Sequence, residues 1–132
     1  VKLKVIGEKS KLSPEIQELI KSAEARTAHN GVLNLQIAFS YGGRQEILNA
    51  LALSKGDVAK FEQNLYTFGV PDPDLFIRTG GERRISNFLL WQIAYTELYF
   101  LDKMWPDFTE EDFNEAINNY LKRERRFGTA AE

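Results

Sequence analysis

Arginines, glycines and a serine are concentrated in one short segment, and they are the residues of this chain best suited to bind an anion. Arg78 follows an apolar run, Gly80-Gly81 lets backbone approach a ligand closely, and Arg83, Arg84 and Ser86 come next. Guanidinium groups bind phosphate oxygens bidentately, and a serine hydroxyl adds a donor. If Ser86 begins a helix, its unpaired N–H groups contribute about half a positive charge. The pattern favours a diphosphate site.

A simpler interpretation of the same segment stays open on composition alone. Ser86 would then only cap a helix, because serine is a common N-cap residue. The arginines would pair with Glu82 or face solvent. The residue types alone do not separate the two interpretations.

Glu97 is the second residue that could do chemistry, because it follows an almost uncharged stretch. It is either a buried carboxylate paired with a cation or a ligand for magnesium, which prefers one or two carboxylates plus phosphate oxygens. His29, the single histidine, lies beside a turn and is expected to be exposed. With no cysteine, a zinc site is not expected. The nearby aromatic residues are interpreted as core: Trp91, Tyr95, Tyr99, Phe100 and Trp105.

Composition places the chain among folded, water-soluble proteins. Its 132 residues are 43% hydrophobic and 27% charged, which suits one domain with one core. A net charge of -2 argues against general nucleic-acid binding, although Lys122, Arg123, Arg125 and Arg126 leave local basic sites open. Without cysteine or a secretion signal, we expect a cytoplasmic location.

Strands and helices alternate along the predicted chain. Strands are predicted at residues 1–6, 32–39, 75–77 and 98–101, and helices at 14–27, 44–53, 57–68, 86–94 and from Thr109 onward. This order predicts an α/β fold with a parallel sheet and flanking helices. Ligands bind beyond the carboxyl ends of such strands, where the loops at residues 40–44 and 78–81 lie.

Several longer runs resemble one known family, the cis-prenyltransferases. The main runs are residues 73–92 (PDLFIRTGGERRISNFLLWQ) and 94–100 (AYTELYF). Shorter runs at 41–44 (YGGR), 105–108 (WPDF) and 125–128 (RRFG) extend the resemblance over essentially the whole chain. Undecaprenyl diphosphate synthases are the members that these runs resemble most.

The resemblance implies a prenyltransferase, an enzyme that transfers alkyl groups other than methyl. Such enzymes condense isopentenyl diphosphate with an allylic diphosphate such as farnesyl diphosphate, for the synthesis of polyprenyl carrier lipids. They use Mg2+ and form homodimers. The resemblance thus implies isopentenyl and allylic diphosphate substrates, peripheral membrane contact through the lipid product, and no nucleic-acid partner.

The resemblance also assigns site residues. Arg78, Arg84 and Ser86, with Ile85 between the last two, match the residues that hold the diphosphate of isopentenyl diphosphate. This assignment coincides with the anion site inferred from the residue types. Glu97 matches a magnesium ligand of the family.

Near the end of the chain, Arg126 and Gly128 match a motif that reaches the active site of the partner subunit. The alternative for Arg126 is a cation that closes a helix carboxyl end.

The chain departs from the family in three ways. The amino-terminal loop that binds the allylic diphosphate and the helices that wall the product tunnel are absent from this sequence. The stretch between Ile47 and Pro71 is shorter than usual, and Ser40 stands where many members have asparagine. We therefore expect residues 1–132 to be the carboxyl-terminal part of one cis-prenyltransferase domain. The main catalytic candidates would lie in the missing part, and this stretch alone would be inactive.

Two rival functions remain. A non-catalytic partner subunit of a cis-prenyltransferase complex would keep the fold and lose active-site residues, and retention of Arg78, Arg84, Ser86 and Glu97 argues against it. A dinucleotide-binding domain would need a Gly-x-Gly-x-x-Gly segment after a strand, and the sequence has none.

Overall fold

Residues 1–124 are described by the computed structural model, and they divide between two units. The first unit is Val1–Pro71, and the second begins at Asp72. Arg126 and Gly128 lie outside the described residues. Parallel strands and helices occur in both units, which confirms the α/β class, although each unit has its own two-stranded sheet.

The first unit is built on one pair of parallel strands. Its elements are β1 (Lys2–Ile6), α1 (Pro14–Thr27), β2 (Asn34–Ala38), α2 (Gly43–Ser54) and α3 (Val58–Phe61). In the strand pair, Lys2 lies opposite Asn34 and Ile6 lies opposite Ala38. Val5, Ile6, Ala50 and Leu65 form its buried apolar core. The predicted strands and the first two helices are confirmed.

Helix α1 begins where the sequence predicts it. The Ser13 side chain accepts a hydrogen bond from the Ile16 N–H, and Pro14 occupies the first turn, where its missing N–H has no intrahelical partner to lose. The helix ends at Thr27, also as predicted.

Side chains of α1 bind the edge of β1 that faces away from β2. The Leu3 N–H donates to Thr27 Oγ1 at 3.1 Å, and the Val5 N–H donates to Glu24 Oε1 at 2.7 Å. Lys9 Nζ donates to the same Glu24 oxygen at 2.8 Å. Burial alone would raise the pKa of Glu24, but the hydrogen bonds from Lys9 and Val5 outweigh it and hold that pKa below its ordinary value.

Glu46 is the most buried large side chain of the first unit, with 1% of its surface exposed. Its carboxylate accepts the Tyr41 hydroxyl and, at 2.7 Å, the Tyr66 N–H. It therefore joins the glycine-rich loop before α2 to the segment after α3. Spacing along the sequence does not predict this link.

The predicted helix at residues 57–68 is correct only at its start. Helix α3 ends at Phe61 and gives way to a short 3-10 turn, Glu62–Asn64. The Tyr66 N–H is taken by the Glu46 carboxylate instead of a helical carbonyl. Burial of Leu65, 7% exposed, accompanies this change of backbone direction.

The second unit holds the residues singled out for chemistry. Its elements are β3 (Leu75–Arg78), β4 (Glu97–Phe100) and α4 (Glu110–Leu121). The two strands are parallel, with Leu75 opposite Glu97 and Arg78 opposite Phe100. Phe76 packs against Phe88 and Phe100, with ring centroids 6.2 and 6.1 Å away.

Helix α4 begins with a reciprocal pair of cap hydrogen bonds. Asp112 Oδ2 accepts the Thr109 N–H at 2.7 Å, and Thr109 Oγ1 accepts the Asp112 N–H at 3.4 Å. Hydrogen bonds from the Lys103 ammonium and the Thr109 backbone hold the pKa of Asp112 below its ordinary value. The predicted N-cap at Thr109 is confirmed.

The predicted helix at residues 86–94 is wrong. Ser86, Asn87 and Leu89 have φ of 49°, 63° and 45°, a left-handed backbone that a right-handed helix excludes. The segment forms turns instead, and it buries Gln92 and Ile93 at 2% and 8% exposure. Tertiary burial of these two side chains thus overrides the helical spacing of the apolar residues.

The aromatic residues are less buried than predicted. Trp91, Tyr95 and Trp105 are 46%, 65% and 71% exposed, so their interpretation as core is wrong. Tyr99 and Phe100 are half-buried in β4. For Trp91 and Tyr95 the difference follows from the turns at residues 86–95, since a helix there would direct one apolar stripe inward. Within residues 1–124, none of the helices has the length and apolar character needed to span a bilayer.

Candidate anion site and carboxylate

Arg78, the last residue of β3, brings the predicted anion-binding residues together. Its Nη1 donates a hydrogen bond to Ser86 Oγ at 2.8 Å and another to the Arg84 carbonyl oxygen. We call Arg78, Arg84 and Ser86 the arginine–serine cluster. The cluster consists of the end of β3 and the loop that follows it, so the fold of this one segment is sufficient to position it.

Arg84 also forms an ion pair with Glu82. This is the pairing that the simpler interpretation of the segment predicts. Both side chains are largely exposed, at 63% and 48%, and an exposed pair is stabilised by no more than about 1 kcal/mol. An incoming dianion could therefore displace Glu82 from Arg84 at small energetic cost.

The glycines of the loop serve the fold and leave binding to side chains. Gly80 and Gly81 have φ of 88° and 76°, which favours glycine. Their N–H groups donate to the carbonyls of Lys103 and Leu101, at 2.9 and 3.0 Å. These two amides are thus already hydrogen-bonded.

Ser86 does not begin a helix, so a helix dipole makes no contribution at this position. The expected half-charge of a helix amino terminus is absent, and the guanidinium groups of Arg78 and Arg84 carry the positive charge of the cluster. Arg84 and Ser86 are exposed, whereas Arg78 and Ile85 are half-buried. The Ile85 carbonyl accepts the Phe88 N–H at 3.0 Å, which closes the turn behind Ser86.

Glu97 forms an ion pair, as one of its two sequence interpretations predicts. Arg123 Nη1 donates to Glu97 Oε2 at 2.6 Å and to the Leu98 carbonyl at 3.2 Å. Arg123 Nε donates to Asn119 Oδ1 at 3.0 Å, four positions earlier in the chain. The sequence analysis did not identify Arg123 as a site residue. The sequence did offer one signal for Arg123: it is a cation placed just beyond the carboxyl end of a predicted helix, where positive charge is favourable.

Glu97 and the arginine–serine cluster lie at different ends of the strand pair. Glu97 is opposite Leu75, whereas Arg78 is opposite Phe100. Three residue steps along the strand separate these positions, which is about 10 Å at roughly 3.3 Å per residue. The structure therefore brings the side chains of Arg78 and Ser86 together with the backbone of Arg84, and it does not bring Glu97 to them.

Glu97 could supply one carboxylate ligand to a magnesium ion. Within residues 1–124 there is no group of three histidine, cysteine, aspartate or glutamate side chains that could hold a metal ion. Magnesium is commonly bound by one or two carboxylates together with substrate phosphates, so one carboxylate is a sufficient protein contribution. His29 is exposed, as predicted.

Comparisons with known proteins agree on one family. A model of the undecaprenyl diphosphate synthase family, Prenyltransf, matches residues 1–128. The chain is 48% identical to an isoprenyl transferase of Nitrosomonas europaea and 49% identical to one of Thermotoga maritima, with 100% and 97% of the chain aligned. It covers 54% and 59% of those relatives, so it spans little more than half of their length.

Two solved structures share the fold. One is a probable undecaprenyl diphosphate synthase from Campylobacter jejuni, with a TM-score of 0.86 and 36% identity. The other is lavandulyl diphosphate synthase from Lavandula x intermedia in complex with dimethylallyl diphosphate, with a TM-score of 0.89 and 39% identity. Each match covers 97% of this chain, and 63% and 60% of the respective structures.

Proposed function

Because the chain belongs to the undecaprenyl diphosphate synthase family of prenyltransferases, which transfer alkyl groups other than methyl, we propose that it carries the isopentenyl-diphosphate half of a cis-prenyltransferase site. In this proposal Arg78, Arg84 and Ser86 bind the diphosphate, and Ile85, which lies between the last two, belongs to the same substrate-binding segment. The second substrate is an allylic diphosphate such as farnesyl diphosphate, and the product serves polyprenyl carrier-lipid synthesis.

The observation that carries the proposal is the contact between Arg78 and Ser86. The guanidinium and hydroxyl lie 2.8 Å apart, so both can contact the same pair of phosphate oxygens. A guanidinium has five N–H donors, and Arg78 uses one nitrogen for its contacts with Ser86 and Arg84. Donors therefore remain for a bidentate contact with a diphosphate.

The proposed chemistry is electrostatic. During chain elongation the allylic carbon gains positive charge as its diphosphate departs, and the double bond of isopentenyl diphosphate attacks that carbon before losing a proton. Arg78 and Arg84 hold the diphosphate of isopentenyl diphosphate, and so keep its double bond in a fixed position relative to the allylic carbon. A bound magnesium ion would neutralise diphosphate charge, and Glu97 is the residue of this chain proposed to hold it.

Assembly and location are further parts of the proposal. A homodimer is supported by the motif of Arg126 and Gly128, which the family resemblance assigns to the partner's active site. A cytoplasmic enzyme that contacts the membrane surface through its lipid product is consistent with the absence of cysteine from the sequence.

Equilibrium dialysis of the chain with radiolabelled isopentenyl diphosphate tests the proposal. Arg78→Gln should weaken binding about tenfold, since a charged hydrogen bond contributes roughly 1.5–3 kcal/mol. Arg83→Gln is the matched control, because it removes the same charge from an exposed position of the same loop. If the two variants lose the same affinity, only the charge of the loop matters, and if neither loses affinity, the loop does not bind the diphosphate; either result contradicts the proposed role of the arginine–serine cluster. Excess pyrophosphate should compete with the label.

A further inference from the structure

Arg123 forms an ion pair with Glu97, the carboxylate that we propose as a metal ligand. Its guanidinium lies 2.6 Å from Glu97 Oε2, and it is also hydrogen-bonded to the Leu98 carbonyl and to Asn119. Within residues 1–124, Arg123 is the one cation that forms an ion pair with Glu97. The negative charge of the Glu97 carboxylate is thus balanced by the Arg123 guanidinium in the absence of a metal ion.

From this contact we infer that Arg123 is a positioning residue that sets the affinity of Glu97 for a divalent cation. The inference rests on the proposed role of Glu97 as a magnesium ligand. A guanidinium and a dication are both positive, and they compete for one carboxylate. Even if Oε1 alone took the metal, the positive charge of the Arg123 guanidinium at Oε2 would oppose metal binding. Removing Arg123 must therefore tighten metal binding in either geometry.

The same competition acts in the opposite direction. When two binding events are coupled, each changes the other by the same factor. A cation at Glu97 therefore weakens the link between Arg123 and β4. That link joins Glu97 to the end of α4, and Arg126 comes three residues later. Metal binding at Glu97 consequently loosens the attachment of Arg123 to β4.

Solvent limits the size of the effect. The side chains of Arg123 and Glu97 are 34% and 25% exposed, so water screens part of their interaction. We expect Arg123→Gln to tighten metal binding about two- to fivefold, the range that a partly exposed ion pair supports. Arg123→Lys should stay near the wild type, because it keeps the charge.

Titration with Mn2+ followed by NMR tests the inference on this chain without any activity assay. Paramagnetic broadening of the amide signals of residues 96–98 reports binding at Glu97 and gives the dissociation constant. Lys122→Gln is the matched control, since it removes one positive charge at the adjacent, exposed position. Glu97→Gln should abolish the broadening.

Hydrogen exchange at residues 119–123 should rise with Mn2+ in the wild type and not in Glu97→Gln.

The outcomes separate this inference from the proposed function. If Arg123→Gln binds Mn2+ no more tightly than the wild type, or if Lys122→Gln tightens it equally, the role of Arg123 is wrong and that of Glu97 stands. If the wild type and Arg123→Gln both show no broadening near Glu97, the metal role of Glu97 is wrong and this inference falls with it. Binding of isopentenyl diphosphate at the arginine–serine cluster is measured separately and is unaffected by either result.

Discussion

Arg78 Nη1 and Ser86 Oγ lie 2.8 Å apart, although the two residues are eight positions apart in the chain. The contact connects the last residue of β3 to the far side of the glycine loop. A ligand bound by Arg78 is therefore also within reach of Ser86. In the proposed function Ser86 therefore has two roles, one as a donor to the ligand and one as a partner that orients the Arg78 guanidinium.

Ser86→Ala should weaken binding of isopentenyl diphosphate about five- to tenfold, because it removes one donor and leaves Arg78 less well oriented. The fold should be retained, since Ser86 is exposed. Equilibrium dialysis measures the affinity, and circular dichroism checks the fold. Ser10→Ala, at an exposed position of the first unit, is the control. Unchanged affinity in Ser86→Ala would remove the hydroxyl from the proposed site.

Gly7→Ala should destabilise the first unit by about 2 kcal/mol or more. The backbone of Gly7 has a φ of 112°, and a Cβ there would overlap with the Phe39 carbonyl oxygen. Gly31→Ala is the matched control, because no atom lies within 4 Å of the added carbon. Urea unfolding of both variants gives the comparison. Equal stability of the two variants would contradict the packing at the end of β1.

Thr109→Ala should cost about 1 kcal/mol of stability, because α4 loses its N-cap oxygen. Asp112→Asn should also destabilise, since Asp112 accepts hydrogen bonds from Thr109 and Lys103. The double variant should lose less than the sum of the two single changes, by about 0.5 kcal/mol or more, because the residues contact each other. Urea unfolding of the four proteins measures this coupling, and strict additivity would contradict the reciprocal cap.

Glu24→Gln should destabilise the first unit at neutral pH by about 1 kcal/mol and make its stability less dependent on acid. The folded pKa of Glu24 lies below its ordinary value of 4.5. Its contribution is therefore fully present above that value and is lost as the pH falls through the lower, folded pKa. Thermal unfolding between about pH 6 and pH 3 should show the wild type and the variant converging.

Glu18→Gln, at a position of α1 that is 74% exposed, is the control for this comparison. If the stability difference between the wild type and Glu24→Gln is the same across the whole pH range, Glu24 stabilises the first unit through its shape and not through its charge.

Local signals were sufficient where a few adjacent residues decide the backbone. Ser13 and Pro14 predict the start of α1, and Thr109 predicts the start of α4, because capping groups act within one turn. The loop that gathers Arg78, Arg84 and Ser86 is predictable for the same reason: its members lie within nine consecutive residues.

Interactions between distant residues could not be predicted from spacing. The ion pair of Glu97 with Arg123 joins positions 26 residues apart, and the bond of Glu46 to Tyr66 joins positions 20 apart. The turns at residues 86–95 illustrate a further limit. Apolar spacing there is typical of a helix, yet burial of Gln92 with Ile93 accompanies a left-handed backbone. Tertiary packing determines the backbone conformation of such a segment, and the local sequence pattern carries no information about that packing.

Glu24 and Thr27 have one more consequence, for intermolecular association. A strand with unpaired N–H groups is a template on which another chain can add a strand. On the outer edge of β1, the Leu3 and Val5 N–H groups are already bound to these two side chains. A recruited strand would first have to break both bonds and expose the Glu24 carboxylate that Lys9 neutralises. Side chains of helix α1 therefore block the addition of another strand, and with it edge-to-edge aggregation, on that side of the sheet.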